Sequence, residues 1–301
     1  SFGLIENRKT AIIEMAEASG IRLLSQEELN PLYASSFGTG ELILNALDRG
    51  ADKLVITMGG SATVDGGTGI LKALGVRFLD GAGLDLNQLP AGLIGLERAD
   101  LSGLDPRILD CEIVVLCDVE NTLLGDHGSA AVFGPQKGAS EKDIPLLEAS
   151  LRRLRDVALR ETGKDMAEVV SGGTAGGAAA GLYAFLSARL VNGIDYYLQI
   201  TEFERALQNA DLVVTGEGSI DEQTLHGKGP FGVARRAKER DIPVIGVAGK
   251  IPLESHAGLS KYFDVLLSIG NEPSDIASAM MGTKDNLVRT SEQIGNLLAI
   301  K

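Results

Sequence analysis

"ADLVVTGEGSIDEQTLHGKGPFGVARRAKERDIPVIGVAG", residues 210–249, decides the fold. Two short, continuous apolar runs, "ADLVVTG" and "IPVIGVAG", bracket the helix-like segment "GVARRAKERD". A third run, "FDVLLSIG" (263–270), follows. Continuous apolar strands alternating with helices signal a parallel sheet covered on both faces. The closing segment "DNLVRTSEQIGNLLAI" (285–300) has helical periodicity at Leu287, Ile294, Leu297 and Leu298, which predicts a final helix. The first apolar run stops at Thr215-Gly216. The fifteen positions 216–230 hold four glycines, four charged residues and a histidine, an unusual load of polar chemistry directly after a buried strand.

Working outward, residues 1–16 read as two short strands joined by a turn at Asn7-Arg8. "SSFGTGELILNALDRGA" (35–51) predicts a glycine loop and then a helix with Leu42, Ala46 and Leu47 as its stripe and Gly50 at its end. "DKLVITMGG" (52–60) is a buried strand closed by two glycines, and "SATVDGGTGILKALG" (61–75) is a loop running into a helix. "VRFLDGAGLDL" (76–86) reads as a small hairpin, and "CEIVVLCDVEN" (111–121) as a buried strand ending in acids. Residues 140–163 form an amphipathic helix opened by Ser140 and Asp143, a capping-box variant. "SGGTAGGAAAGLYAFLSARL" (171–190) is a glycine loop and a small-residue helix. The texture changes near residue 200, which divides the chain into an α/β domain at 1–199 carrying most glycine loops and a Rossmann-like domain at 200–301.

The 301 residues suffice for two α/β domains, and the formal net charge of −13 excludes a binder of nucleic-acid backbones, which needs clustered Lys and Arg. Acidity leaves small anionic ligands open, because a local Lys or helix N-terminus can hold them. No run of 18 apolar residues marks a membrane span, and no signal peptide opens the chain. Cys111 and Cys117 fall on one face of a strand roughly 20 Å apart, at about 3.3 Å per residue, too far for a disulfide. They read as reduced thiols of a cytoplasmic protein.

In open α/β sheets ligands bind beyond the carboxyl ends of the strands. Five loops are placed for that: "GGSATVDGG" (59–67), "CDVENTLLG" (117–125), "FGPQKGA" (133–139), "GTAGGAAAG" (173–181) and "TGEGSIDEQTLHGKGP" (215–230). In the first, Gly59, Gly60, Ser61 and Thr63 offer backbone N–H groups and hydroxyls to an anion. Asp65 reads either as a ligand to a metal or substrate hydroxyl, or as a helix cap. Asp118 and Glu120 end a buried strand and suit water-mediated magnesium or capping duty. Lys137 either meets a phosphate or carboxylate or is an ordinary loop lysine. The 173–181 segment either contacts a ligand or allows close helix packing. In the last loop Glu217, Asp221 and Lys228 combine acids with a base, as phosphoryl transfer requires, or form a solvated turn with local salt bridges. His226 adds a group that titrates near neutral pH; His127 and His256 read as structural. There is no G-x-x-x-x-G-K-[ST] and no G-x-S-x-G, and "GTGELI" (38–43) and "GEGSID" (216–221) both miss the last glycine of G-x-G-x-x-G.

Together "EMAEASG" (14–20), "FGTGELI" (37–43), "GGSATVDGG", "FGPQKGA", "GTAGGAAAGL" and "VTGEGSIDEQTLHGKGPFGVA" (214–234) resemble the type 1 glycerate kinase family of bacteria, with a match from Phe2 to the C-terminus. The resemblance implies an ATP- and magnesium-dependent kinase acting on D-glycerate, with 2-phosphoglycerate as product and 3-phosphoglycerate as the alternative. It implies two α/β domains with the site in the cleft between them. It implies small-molecule partners, no nucleic acid or membrane, and leaves a homo-oligomer open. Asp221 is then the group that orients or deprotonates the hydroxyl, and Lys228 offsets phosphoryl charge. Glu217 and Asp118 become magnesium ligands. Gly59, Gly60, Ser61, Thr63, Asp65, Lys137, Gly173, Thr174, Gly176, Gly177, Gly216 and Gly218 hold substrate or phosphate. The family also carries an N-terminal segment with Asp-Ser-Phe-Lys and Ala-Asp-Gly-Gly-Glu-Gly motifs that these residues lack. Without it the second domain is expected to miss strands and expose pairing edges. A non-catalytic sugar-acid or nucleotide sensor derived from a kinase is the competing reading.

Overall fold

The computed structural model describes residues 1–5, 9–225, 227–254 and 257–300. The expected turn at Asn7-Arg8, and His226 and His256, lie outside the described residues. The chain separates into two compact units, Ser1–Gly193 and Ile194–Lys301.

The first unit opens with β1 (Gly3–Ile5), β2 (Thr10–Glu14), α1 (Ala16–Ser19), α2 (Phe37–Asp48), β3 (Lys53–Thr57) and α3 (Thr68–Ala73). It continues with β4 (Arg77–Leu79), β5 (Arg98–Asp100), β6 (Glu112–Cys117), α4 (Ser129–Phe133), α5 (Asp143–Thr162), α6 (Ala178–Leu186) and β7 (Arg189–Asn192). The main sheet has the order β1-β2-β3-β6-β7, parallel except for the antiparallel β1. β3 and β6 are central. Leu54, Val55 and Ile56 are all buried, as are their partners Ile113, Val114 and Val115, so both faces are covered and the apolar runs are continuous. α5 buries Leu147, Leu151, Leu154, Val157 and Ala158, a stripe at helical spacing, and ends at Gly163 in a left-handed conformation. Before its first turn, Ser140 donates from its N and Oγ to Asp143 Oδ2 at 2.8 and 2.7 Å.

The second unit contains most of α7 (Gly193–Ile200), then α8 (Phe203–Leu207), β8 (Val213–Ser219), α9 (Gly229–Lys238), β9 (Val244–Lys250), α10 (Ala257–Ser260), β10 (Val265–Ser268), α11 (Ile276–Met281) and α12 (Thr283–Ala299). Its sheet is parallel with the order β10-β9-β8. Each unit has its own buried cluster, around Ile56, Leu71 and Leu151 in the first and around Val244, Ala234 and Phe263 in the second. No helix among the described residues is long and apolar enough to cross a membrane.

Three local expectations are corrected. Gly38 and Gly40 lie inside α2 rather than in a loop before it. A side chain at Gly40 would meet Ala73 Cβ at 2.5 Å and the Ile70 carbonyl at 2.7 Å, so the glycine serves close contact between α2 and α3. The 76–86 segment turns back with a single Leu79–Asp85 bridge, but the ladder partner of β4 is β5. β8 does not end at Gly216: it continues through Ser219, with Gly216 opposite Val247 and Glu217 opposite Ala248. A side chain at Gly216 would meet the Val247 carbonyl at 2.1 Å, so this glycine admits the neighbouring backbone rather than ending the strand. On α12, Ile294 is buried, whereas Leu287, Leu297 and Leu298 are exposed, and Ile276, Met280 and Met281 on α11 are exposed as well.

Candidate functional site

In the first unit the loops after β3 and β6 leave the carboxyl ends of adjacent parallel strands. They meet the 133–137 segment and the 174–175 turn around a cavity of about 360 Å³. Its wall includes the expected residues Gly59, Gly60, Ser61, Asp118, Lys137 and Thr174. The sequence reading missed the apolar part of the wall, supplied by Ile21, Met58 and Phe133 among others, and also Gln136. Gln136 was within reach, because it precedes Lys137 in "GPQKG". Ile21 comes from a 3₁₀ turn after α1 and had no local signal.

Lys137 is the centre of this site. It closes a 3₁₀ turn over Pro135–Lys137 and is only 3% exposed. Its Nζ donates to Ser61 Oγ at 2.9 Å and to the Thr63 carbonyl at 2.8 Å. Burial pushes its pKa down to about 8, against a smaller opposing pull from Asp65. An ammonium has three donors, so two bonds leave one N–H for a ligand. Thr63 therefore serves through its carbonyl, while its own Oγ1 is buried without a partner.

Asp65 does not line the cavity. It is fully buried, and its carboxylate accepts from Ser36 N and Ser36 Oγ (2.8 and 2.7 Å), Gly67 N (3.0 Å) and Gly69 N (3.2 Å). Ser36 Oγ in turn accepts from Ile70 N at 3.1 Å. Asp65 thus fastens the start of α3 to the start of α2, and the helix-cap alternative accounts for it. Gly173, Gly176 and Gly177 are likewise buried. Gly176 has φ +70, and a side chain there would lie 1.9 Å from the Thr63 carbonyl. Its carbonyl accepts from Gly66 N at 2.9 Å. Gly176 and Gly177 thus bring their backbone against the 63–67 backbone, Gly173 lies against the Asn121–Thr122 backbone, and of this segment Thr174 and Ala175 reach the cavity. Asp118 and Glu120 are exposed at the end of β6, and only Asp118 lines the cavity. His127 is exposed, and its carbonyl accepts from Asn121 Nδ2 at 2.9 Å. Both cysteines are free, and burial raises each thiol to about 11, which keeps them protonated.

In the second unit Gly216, Glu217 and Gly218 line a cavity of about 740 Å³, walled otherwise by β9, α11 and α12. Glu217 Oε1 accepts from Thr224 Oγ1, and Glu217 Oε2 lies 3.9 Å from Lys228 Nζ. Lys228 is the residue before α9. Asp221 lies outside that cavity wall: Oδ1 accepts from Gln223 N at 2.9 Å and Oδ2 from Ser219 Oγ at 3.2 Å. The fold thus joins Glu217, Thr224 and Lys228 in one chain of contacts, with Asp221 in the adjoining turn. Among the described residues no group of three or more His, Cys, Asp or Glu side chains is placed to hold a metal by itself.

The fold is that of a mixed α/β protein, with a buried lysine beside glycine loops at the carboxyl ends of parallel strands, the place where such sheets take ligands. The pattern of the glycerate kinase family matches residues 1–299. The chain is 43% identical over 293 residues to a glycerate kinase of Bacillus subtilis strain 168, covering 97% of this chain and 77% of that protein. It is 44% identical over 305 residues to a glycerate 2-kinase of Escherichia coli K12, covering 100% of this chain and 79% of that one. The crystal structure of a Salmonella typhimurium LT2 protein, provisionally named glycerate kinase 2, superposes with a TM-score of 0.85 at 43% identity, over 99% of this chain and 78% of that chain. The chain belongs to the glycerate kinase family.

Proposed function

We propose that the protein transfers the γ-phosphoryl group of ATP to a hydroxyl of D-glycerate, giving 2-phosphoglycerate. One observation carries this reading. Parts of the segments 59–67, 133–139 and 173–181, three of those that carry the family resemblance, gather around the Lys137 cavity together with the loop after β6.

In this reading Lys137, Ser61, Thr174 and the backbone at Gly59 and Gly60 hold oxygens of the acid or of phosphate. Asp221 orients or deprotonates the attacking hydroxyl, and Lys228 offsets charge on the transferring group. Gly216 and Gly218 present backbone to a 740 Å³ cavity, a volume in the range of sites for nucleotide-sized ligands. Magnesium needs only one or two carboxylates beside waters and substrate phosphates, and Asp118 and Glu217 fit that role as single carboxylates at the two cavities. When bound, the ion neutralises phosphate oxygens.

The test is phosphorus NMR of the protein with ATP, magnesium and D-glycerate. A new 2-phosphoglycerate resonance is expected. A 3-phosphoglycerate signal would keep the kinase and change the attacking hydroxyl. Absence of any phosphorylated acid from folded protein would sink the proposal.

A further inference from the structure

We infer that Asp65 is the counter-charge of Lys137, held a short stretch of backbone away instead of in contact, so that the ammonium keeps its proton and still has an N–H to offer the cavity. Asp65 does not line the cavity and acts through the lysine, as a positioning residue. The inference needs only the charge of Lys137, so it is independent of the kinase reading.

The first ground is where the buried charges lie. Among the described residues, Asp65 and Lys137 are the only buried side chains that carry a charge at neutral pH. Both meet the stretch 61–65. Lys137 Nζ donates to Ser61 Oγ and to the Thr63 carbonyl, and Asp65 follows two residues later. A buried ion is costly by itself, and an opposite charge nearby offsets that cost.

The second ground is that Asp65 is fixed as an anion. Its four partners, Ser36 N, Ser36 Oγ, Gly67 N and Gly69 N, all donate to it, and none is a cation. Ser36 is the residue before α2 and Gly67 the residue before α3, so the carboxylate sits at two helix starts, where negative charge is favoured.

The third ground is what the separation preserves. An ammonium has three donors, and two are spent on Ser61 and Thr63. A carboxylate in contact would take the third. Held off contact, Asp65 favours the charged lysine against the pull of burial without using a donor. The other charged or titratable groups on the elements around Lys137 are exposed. They are Asp118 on the cavity wall, Arg22 beside Ile21, Glu27 and Glu28 ahead of Leu29, whose backbone meets Gly138, and Asp126 and His127 ahead of α4. Water and salt screen these groups far more than a buried carboxylate.

The experiment is urea unfolding of the full chain, without ligand, at pH 6 and pH 9.5. The stability deficit of Asp65→Asn against wild type is expected to be larger at pH 6, where Lys137 is protonated, than at pH 9.5, where the folded protein has released that proton. The difference should match about a tenfold loss of proton affinity at Lys137, or about 1.4 kcal/mol. Asp65→Glu, which keeps the charge, should show the same deficit at both pH values, and so should Asp65→Asn measured in a Lys137→Met background. Asp118→Asn should also show equal deficits. A deficit of Asp65→Asn that does not change with pH would overturn the inference and leave Asp65 as a fastening between helices. A deficit of Asp118→Asn that shrinks at pH 9.5 would overturn it by giving the counter-charge to the exposed acid. Asp118 is exposed, so this variant decides the matter if Asp65→Asn does not fold.

Discussion

At the scale of single residues, Lys137 sets two opposed demands. Its pKa drops from 10.5 in the unfolded chain to about 8 in the folded protein, so the folded state resists protonation. Below pH 8 this resistance costs the ligand-free protein about 3 kcal/mol, and the cost fades as pH climbs from 8 towards 10.5. Lys137→Met should therefore raise ligand-free stability at pH 7 by about 1–3 kcal/mol, with two lost hydrogen bonds offsetting part of the gain. Urea unfolding at pH 7 and pH 9.5 checks this: the advantage should shrink at the higher pH. The same variant should lose most of its turnover, and in the wild type kcat/KM should fall as pH passes about 8 and the free enzyme loses this proton. Asp65 behaves in the opposite sense. Asp65→Asn replaces an acceptor of four hydrogen bonds by a group that cannot accept them all, and should destabilise the protein by about 2–4 kcal/mol. A melt showing little change would return Asp65 to the list of ligand-binding candidates.

At the scale of elements, the glycines decide how closely backbones meet. Gly216→Ala would drive Cβ into the Val247 carbonyl, so the β8–β9 ladder should open and the amides of residues 213–219 should lose hydrogen-exchange protection. Protection equal to wild type would show that the sheet can yield at that point. The strands β3 and β6 were legible in the sequence because each is a continuous apolar run buried on both faces, and β8, β9 and β10 because their runs are also continuous, although Val214 on β8 and Val265 on β10 stay exposed rather than covered as expected. The extension of β8 through "GEGS" was not, since glycine and glutamate have poor strand propensity and the pairing comes from β9, distant in sequence. The glycines of α2 misled for a related reason: their value lies in contact with α3, which no local window contains. In the site, Ser61 and Asp118 could be read from loops that follow strands, and Lys137 from its glycine-flanked segment, which follows α4. The inward fastening of Asp65 could not, because its partner Ser36 stands 29 positions away. The apolar wall at Ile21 and Met58 was equally hidden, since single apolar residues carry no mark of a cavity.

At the scale of the whole molecule, a net charge of −13 spreads repulsion over 301 residues. Raising salt from about 0.01 to 0.15 M shortens the screening length from roughly 30 to 8 Å, and the melting temperature should rise by a few degrees. A falling value would mean that attractive ion pairs such as Lys238–Asp264, at 2.6 Å, outweigh the net repulsion. The bare apolar side chains of α11 and α12, among them Met280, Met281, Leu297 and Leu298, work against that repulsion. Repulsion keeps copies of the chain apart at low salt, and screening lets these oily faces find one another. Sample concentration thus becomes a hidden variable: dilute protein in low salt should scatter light as a uniform small particle, while concentrated protein in high salt should drift towards larger and less uniform ones.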